Sequence, residues 1–415
     1  MNQKLFSKDF ILVVIGQIIS LFGNAAIRFA LPLYLLNLTG SSALYGTVTA
    51  CAFIPSILLS PVGGIVADRV NKRNIMVLLD FFTAAVILIF SLLMNGGHLI
   101  LLLTVTMMLL YGIAGAYQPA VQASIPALIG QEHFMAANAI INTIGSFAAL
   151  MGPVIGGVLY SIYGLRPVLW VCMICFVLSA VMEIFIHIPF RKQDAQTSLL
   201  LTVKADFVRS VNFIRKEKPV IGKVLLVVCG INLFLSAMIM VALPYLVTEI
   251  LDLEASQANR LYGFAEGALA AGGLCGGIGA GIFAKKLKVR KAGNLIIASA
   301  AAVFPMGAAL PLSLSGIVSY IVLILCCFCI MVFSTTFSVQ MMAFVQTETP
   351  QDLMGKVIGV ILTIAMCAQP LGNALYGVLF ELCRGFEYGV VLFSGVVSFG
   401  IAVAAGKIFA GFSEA

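Results

Sequence analysis

Residues 45–90 read YGTVTACAFIPSILLSPVGGIVADRVNKRNIMVLLDFFTAAVILIF. Two long apolar runs, near 44–67 and 74–95, flank four charges packed into six residues: Asp68, Arg69, Lys72 and Arg73. The runs themselves hold one further charge, Asp80. Each run can cross a hydrocarbon core of ~30 Å at about 1.5 Å per residue. Neither shows the apolar–polar alternation of a barrel strand. The stretch therefore predicts a helical hairpin: a membrane span, a short charged turn and a second span.

The same layout continues in both directions. Apolar stretches fall near 10–36, 44–67, 74–95, 99–128, 137–161, 168–189, 220–249, 261–284, 292–313, 315–345, 357–380 and 387–406. The chain is 61% hydrophobic and 10% charged, against about 25% charged in a soluble domain. That composition excludes a water-soluble enzyme: the bilayer has to be part of the solvent. The predicted fold class is all-α and integral to the membrane, with twelve transmembrane helices. Met1 to Asp9 is short and polar, and the apolar run behind it exceeds signal-peptide length, so it reads as a permanent span.

Lysine and arginine set the expected orientation. With the N-terminus inside, nineteen fall in cytoplasmic segments and three (Arg166, Arg260 and Arg384) in outer loops, while Arg28 and Lys223 lie within or at the edge of spans. Such a bias places both termini in the cytoplasm. The net charge of +7 has the same origin and suits an anionic inner leaflet, so it is no argument for nucleic acid. The longest polar stretch, roughly 190–219, divides the chain into six spans and six. This predicts an N-terminal bundle over 1–189, a cytoplasmic linker over 190–219 and a C-terminal bundle over 220–415. In the linker Val203, Phe207, Val211 and Ile214 recur at helical spacing among Lys204, Arg209 and Arg215, the pattern of an amphipathic helix on the inner surface. The halves echo each other: Gly64–Arg69 matches Gly281–Lys286, and Pro153 matches Pro370, both at an offset of 217 residues. Parallel repeats related by an axis along the membrane normal would produce this.

Cysteine and histidine carry no chemistry here. Nine of the ten cysteines lie inside apolar runs, and the Cys172–Cys175 CxxC has no partner pair. His98, His133 and His187 have no ligand spacing, and no phosphate-binding Gly-rich loop is visible. No metal, cofactor or nucleotide is expected.

The turn Gly64-Ile-Val-Ala-Asp68-Arg69-Val70-Asn71-Lys72-Arg73 resembles the G-x-x-x-D-R-x-G-R-R signature of the major facilitator superfamily, with Asn71 at the second glycine position. Gly152-Pro153-Val154-Ile155-Gly156-Gly157 in span five is similar to the G-P-x-x-G-G element associated with antiporters of that superfamily. Gly23-Asn24 before Ala30-Leu31-Pro32-Leu33, and Leu38-Thr39-Gly40-Ser41, resemble the first span of macrolide-efflux-like and enterobactin-exporter-like members. So do Gln118-Pro119-Ala120 and Ala136-Ala137-Asn138-Ala139. The resemblance implies two six-helix bundles, alternating access, and a conformational gate at Gly64, Asp68, Arg69 and Arg73. It also implies an antiporter-like kink at Gly152, Pro153, Gly156 and Gly157. One departure matters. Many proton-coupled drug exporters of this superfamily carry an arginine in span four, whereas no lysine or arginine occurs here between Asn74 and Leu165. Proton coupling, if present, must use other residues.

A charge inside hydrocarbon costs several kcal/mol and so needs a partner, a cavity or a task. Arg28 in span one and Glu266 in span eight lie deepest and are the leading coupling candidates, with Asn24 one turn before Arg28. Their similar depth predicts an ion pair across the cleft; the alternative is that each is satisfied locally, Glu266 for instance by Arg260. Asp80 in span three is a further candidate, though both it and Glu183 in span six sit near the inner ends of their spans. There they are expected to snorkel or to pair with loop bases.

The expected function is export of amphipathic, drug- or macrolide-like small molecules from the bacterial cytoplasmic membrane by ion-driven alternating access. Export of a siderophore or lipid-like metabolite, a non-transporting sensor on the same scaffold, and an intramembrane enzyme are the alternatives. The expected partners are a small-molecule substrate, protons and the lipid bilayer, without nucleic acid, and the chain is expected to act as a monomer.

Overall fold

The computed structural model describes residues 7–130, 133–188, 207–283, 289–312, 315–351 and 353–410. Among these, twelve helices are long and apolar enough to cross a membrane. They are α1 (Lys8–Thr39), α2 (Ser42–Arg69), α3 (Lys72–Leu93), α4 (Leu99–Leu128), α5 (Phe134–Tyr163) and α6 (Leu165–Ile184). Then follow α7 (Pro219–Ile250), α8 (Ala255–Ile282), α9 (Val289–Ala308), α10 (Gly316–Glu348), α11 (Met354–Leu382) and α12 (Glu387–Ala410). The fold is the expected all-α membrane architecture. The ninth span begins and ends earlier than the apolar run 292–313 suggested, because the turn Val289–Lys291 continues into it.

Local chemistry sets the helix ends. Ser7 caps α1, its hydroxyl accepting from the Phe10 amide at 3.2 Å. Gly40 closes α1 at φ +58°, a left-handed turn that suits a residue without a side chain. Asn71 caps α3 by accepting from the Arg73 amide at 3.0 Å. The asparagine found where the superfamily signature has glycine therefore has a local task. α7 is interrupted by two wide turns, Asn232–Ser236 and Leu246–Ile250, and Asn232 Nδ2 donates to the Ala365 carbonyl of α11 at 3.0 Å. Side-chain donors of this kind stabilise irregular helices in lipid.

The chain forms two compact units. The first comprises Met1–Gly40, Thr47–Asp194 and Glu254–Gly267; the second comprises Ser41–Gly46, Ala195–Leu253 and Ala268–Ala415. Within the first, α1 packs on α5 and α6, and α3 packs on α4 and α6. Within the second, α7 packs on α11 and α12, and α9 packs on α10 and α12. The pairings match under a shift of six helices, the pattern expected of parallel repeats. Two helices are shared. The first residues of α2 belong to the second unit, and the first part of α8 belongs to the first.

The polar segment before α7 is described from residue 207 onward. Helix 207–212 runs into a wide turn, Phe213–Glu217. Ser210, Phe213 and Ile214 are buried, whereas Phe207 is exposed. Val203 and Lys204 lie outside the described residues. Ile214 lies against Gly222 of α7.

Candidate functional site

A buried polar cluster lies inside the first unit, where α1, α3, α4 and α6 meet. Gly16, Gln17 and Ser20 occupy one face of α1, while Ser179 and Glu183, four residues apart, share one face of α6. Gly16 makes room for this: a Cβ there would lie 3.5 Å from Ser179 Oγ and 3.6 Å from Glu183 Cγ. One turn or two further on, Gly23 admits Cys175, whose Cβ would lie 3.1 Å from a side chain at that position. The CxxC of α6 thus serves close helix contact.

Hydrogen bonds connect the cluster. Gln17 Nε2 donates to the Tyr117 hydroxyl at 2.6 Å, and Tyr117 donates to Glu183 Oε1 at 2.7 Å. Ser20 Oγ donates to Asp80 Oδ1 at 3.1 Å, and Ser179 Oγ donates to the Gly16 carbonyl at 3.1 Å. Gln17, Ser179 and Glu183 are fully buried, and Asp80 is 2% exposed. Three acceptors, Gln17 Oε1, Asp80 Oδ2 and Glu183 Oε2, have no hydrogen-bond partner.

This corrects the expectation that Asp80 and Glu183 snorkel or meet loop bases. Spacing along the chain fixes position along each helix and not rotation, and the rotation of α3 and α6 turns both carboxyls inward. Arg73, at the start of α3, does not reach either carboxyl. It lies at the exposed surface, where it donates to Asn74 Oδ1 at 3.2 and 3.1 Å and to the Ile184 carbonyl at 3.5 Å. Below the cluster, Phe10, Val13, Ile125, Leu128, Ile129, Ala137, Ile141, Ile186 and Ile188 form a buried apolar layer. It separates the carboxyls from the N-terminal end of α1 and the C-terminal end of α4.

About 12 Å further along α1, eight residues at 1.5 Å each, a second polar level contains Arg28. Its guanidinium lies over the Tyr111 ring, 3.7 Å from the centroid, a cation–π contact worth roughly 0.5–2 kcal/mol. Glu266 on α8 is half-buried and accepts from the Tyr262 hydroxyl at 3.0 Å. Tyr262 stacks on Phe29 at 4.8 Å. Arg28 and Glu266 thus belong to one neighbourhood, but the expected ion pair between them is not made here: each takes an aromatic partner instead. Asn24 is half-buried between the two levels. Gln17, Ser20, Asn24 and Arg28, spaced three, four and four residues apart, form a polar stripe along an otherwise apolar helix. The sequence signal for the lower cluster was this extension of the Asn24–Arg28 patch.

The α5 motif is a packing seam. Gly152 meets Ala25 of α1, and Gly156 lies against Ala26. A Cβ on Gly157 would lie 3.0 Å from the Gly263 Cα of α8. A Cβ on Gly263 would lie 2.6 Å from the Pro153 carbonyl oxygen, and one on Gly267 would lie 2.6 Å from Val154. Asn259, Gly263 and Gly267 repeat every four residues and form the matching face, one that the sequence reading missed. Gly272 and Gly276 abut α10 in the second unit. Toward the Gly40 end, Asn37 Nδ2 donates to Asn259 Oδ1 at 2.8 Å and to Tyr160 OH at 3.2 Å. Ser161 Oγ lies 3.0 Å from Ser256 Oγ. In the second unit Glu381 Oε2 accepts from Ser41 Oγ at 2.9 Å and from the Ala43 amide at 3.5 Å, placing a carboxylate at the α2 N-terminus. The expected gate residues Gly64, Asp68 and Arg69 lie outside the described side chains; of that set, only Arg73 is described.

Twelve spans, a pseudo-repeated pairing scheme and polar side chains buried inside a bundle define a membrane transporter rather than an enzyme. The family model of the Major Facilitator Superfamily matches residues 13–373, and the chain belongs to that family. Macrolide efflux protein A of Streptococcus pyogenes is 23% identical over 366 residues, covering 87% of this chain and 86% of that protein. The multidrug efflux pump Tap of Mycobacterium tuberculosis is 22% identical over 381 residues, covering 89% and 86%. Among solved structures, the nucleoside transporter NupG superposes with a TM-score of 0.77 at 14% identity, over 98% of this chain and 100% of that one. A bacterial homologue of the lysosomal transporter Spinster gives 0.71 at 14% identity, over 99% and 100%. These structures share the fold.

Proposed function

We propose that this protein is a secondary transporter that exports amphipathic, macrolide-like small molecules across a bacterial cytoplasmic membrane, driven by an ion gradient. The observation that carries the export reading is the likeness to macrolide and multidrug efflux proteins over 87% and 89% of the chain. The nineteen-to-three distribution of basic residues supports cytoplasmic termini. The chain works as a monomer by alternating access of its two repeats. Arg28, Asn24 and Glu266 with Tyr111, Tyr262 and Phe29 form the substrate-facing level. A carboxylate among aromatic rings suits a lipophilic amine. Gly64, Asp68, Arg69 and Arg73 form the gate, with Arg73 linking the start of α3 to the end of α6.

The test is accumulation of a panel of macrolides, lipophilic cations and neutral amphiphiles in cells that express the protein or lack it, with and without a protonophore. Lower accumulation of some members, restored by the protonophore, is expected. Unchanged accumulation across the panel, with the protein present in the membrane, would overturn the reading.

A further inference from the structure

The carboxyl cluster of the first unit has no counterion among the described residues. Two acids buried in a membrane bundle would carry two negative charges at a cost of several kcal/mol each if left bare. The elements packed around them are α1, α3, α4 and α6. They contribute Asp80, Glu183, Tyr117 and, further up α6, Cys172 and Cys175 as titratable groups. None brings a lysine, arginine or histidine to either carboxyl among the described residues. His187 lies beyond the end of α6, where its backbone amide donates to Asp9 Oδ1 at 2.9 Å.

Donor accounting sharpens the problem. The donors aimed into the cluster are the Ser20, Ser179 and Tyr117 hydroxyls and one Gln17 N–H, with Ser179 shared between Asp80 and the Gly16 carbonyl. Gln17 Oε1, Asp80 Oδ2 and Glu183 Oε2 are left without a donor, which is costly in a dry site. Adding a proton to a carboxylate removes one charge and creates one donor where acceptors are in excess. A protein base would have removed the charge without needing an external ion.

We propose that Asp80 and Glu183 form the proton site of this transporter, a dry carboxyl pair that holds at least one proton in the conformation described. Ser20 orients Asp80, and the Gln17–Tyr117 chain orients Glu183, so Tyr117 is a positioning residue. The apolar layer from Phe10 to Ile188 packs the start of α1 against the ends of α4 and α6. Binding is a simple protonation: carboxylate and proton give the carboxylic acid, and release reverses it. The assignment as the coupling site rests on the transport reading, but proton occupancy does not.

The test is infrared spectroscopy of the purified full-length protein in lipid, with aspartate or glutamate carrying ¹³C carboxyls. Protonated carboxyls absorb apart from carboxylates, and the isotope identifies which residue type gives each band. At neutral pH a band from a protonated carboxyl is expected that is insensitive to sodium. It should be lost in Asp80→Asn or Glu183→Gln, each a mimic of the protonated acid that ought to fold. Tyr117→Phe should shift the glutamate band without removing it. In proteoliposomes, Glu183→Gln should lose at least tenfold of the stimulation of export by an imposed pH gradient while keeping downhill exchange. Absence of the band in the wild type, its survival in both variants, or its removal by sodium at fixed pH would overturn the proposal. Export without the band refutes the proton site alone. The band without transport of any panel compound refutes the transport reading alone.

Discussion

Gly263→Ala probes the α5–α8 seam with a single methyl group. The added Cβ would sit 2.6 Å from the Pro153 carbonyl oxygen and 3.1 Å from the Gly157 Cα. Ordinary non-bonded contact is about 3.5 Å, so the helices must separate by roughly 1 Å. Both obstacles are backbone atoms that cannot rotate away. Overpacking of this kind costs about 1–3 kcal/mol. If alternating access opens and closes the seam, that cost falls on the closed state and shifts the equilibrium about 5–150-fold toward the open one. Ser161 and Ser256 flank the seam with their hydroxyls 3.0 Å apart, so a cysteine at each should crosslink only when it is closed. In a background lacking the native cysteines, the pair should oxidise rapidly when Gly263 is retained and several-fold more slowly when the Gly263→Ala substitution is added. Wild-type crosslinking by a folded Gly263→Ala protein would refute the reasoning. It would mean either that the seam tolerates the methyl group or that it does not move.

Three further outcomes are expected. A thiol at Gly97 should react with an impermeant reagent from outside intact cells, and one at Lys216 only from inside; the reverse pattern overturns the orientation. Asp68→Asn should slow export at least tenfold while equilibrium binding stays within a few-fold, because the residue sits in the last helical turn of α2, at the end of its span; collapsed binding with normal turnover would contradict the gate assignment. Glu266→Gln should weaken export of cationic substrates by about an order of magnitude and spare neutral ones, measured on the same panel, with the infrared band of the lower cluster unchanged. Equal loss for both substrate classes would remove Glu266 from amine recognition.

The sequence by itself determined the number of spans and their order. Those properties follow from segment hydropathy and charge, which lipid reads one segment at a time. It also fixed the position of each of these charges along its helix, because helical rise is fixed. It could not give helix rotation. A span that is apolar on nearly every side carries little periodicity to show which face turns inward. That one unknown separated Asp80 and Glu183, expected at the basic loops, from their position against Gln17, Ser20 and Tyr117. It likewise separated an expected Arg28–Glu266 pair from the observed contacts with Tyr111 and Tyr262. Rotation was decided by where small residues let backbones meet: Gly16 and Gly23 against α6, and Gly157 against Gly263. In a bilayer, where lipid is as apolar as leucine, close packing of such residues sets the faces that touch, and only the folded bundle shows which glycines find each other.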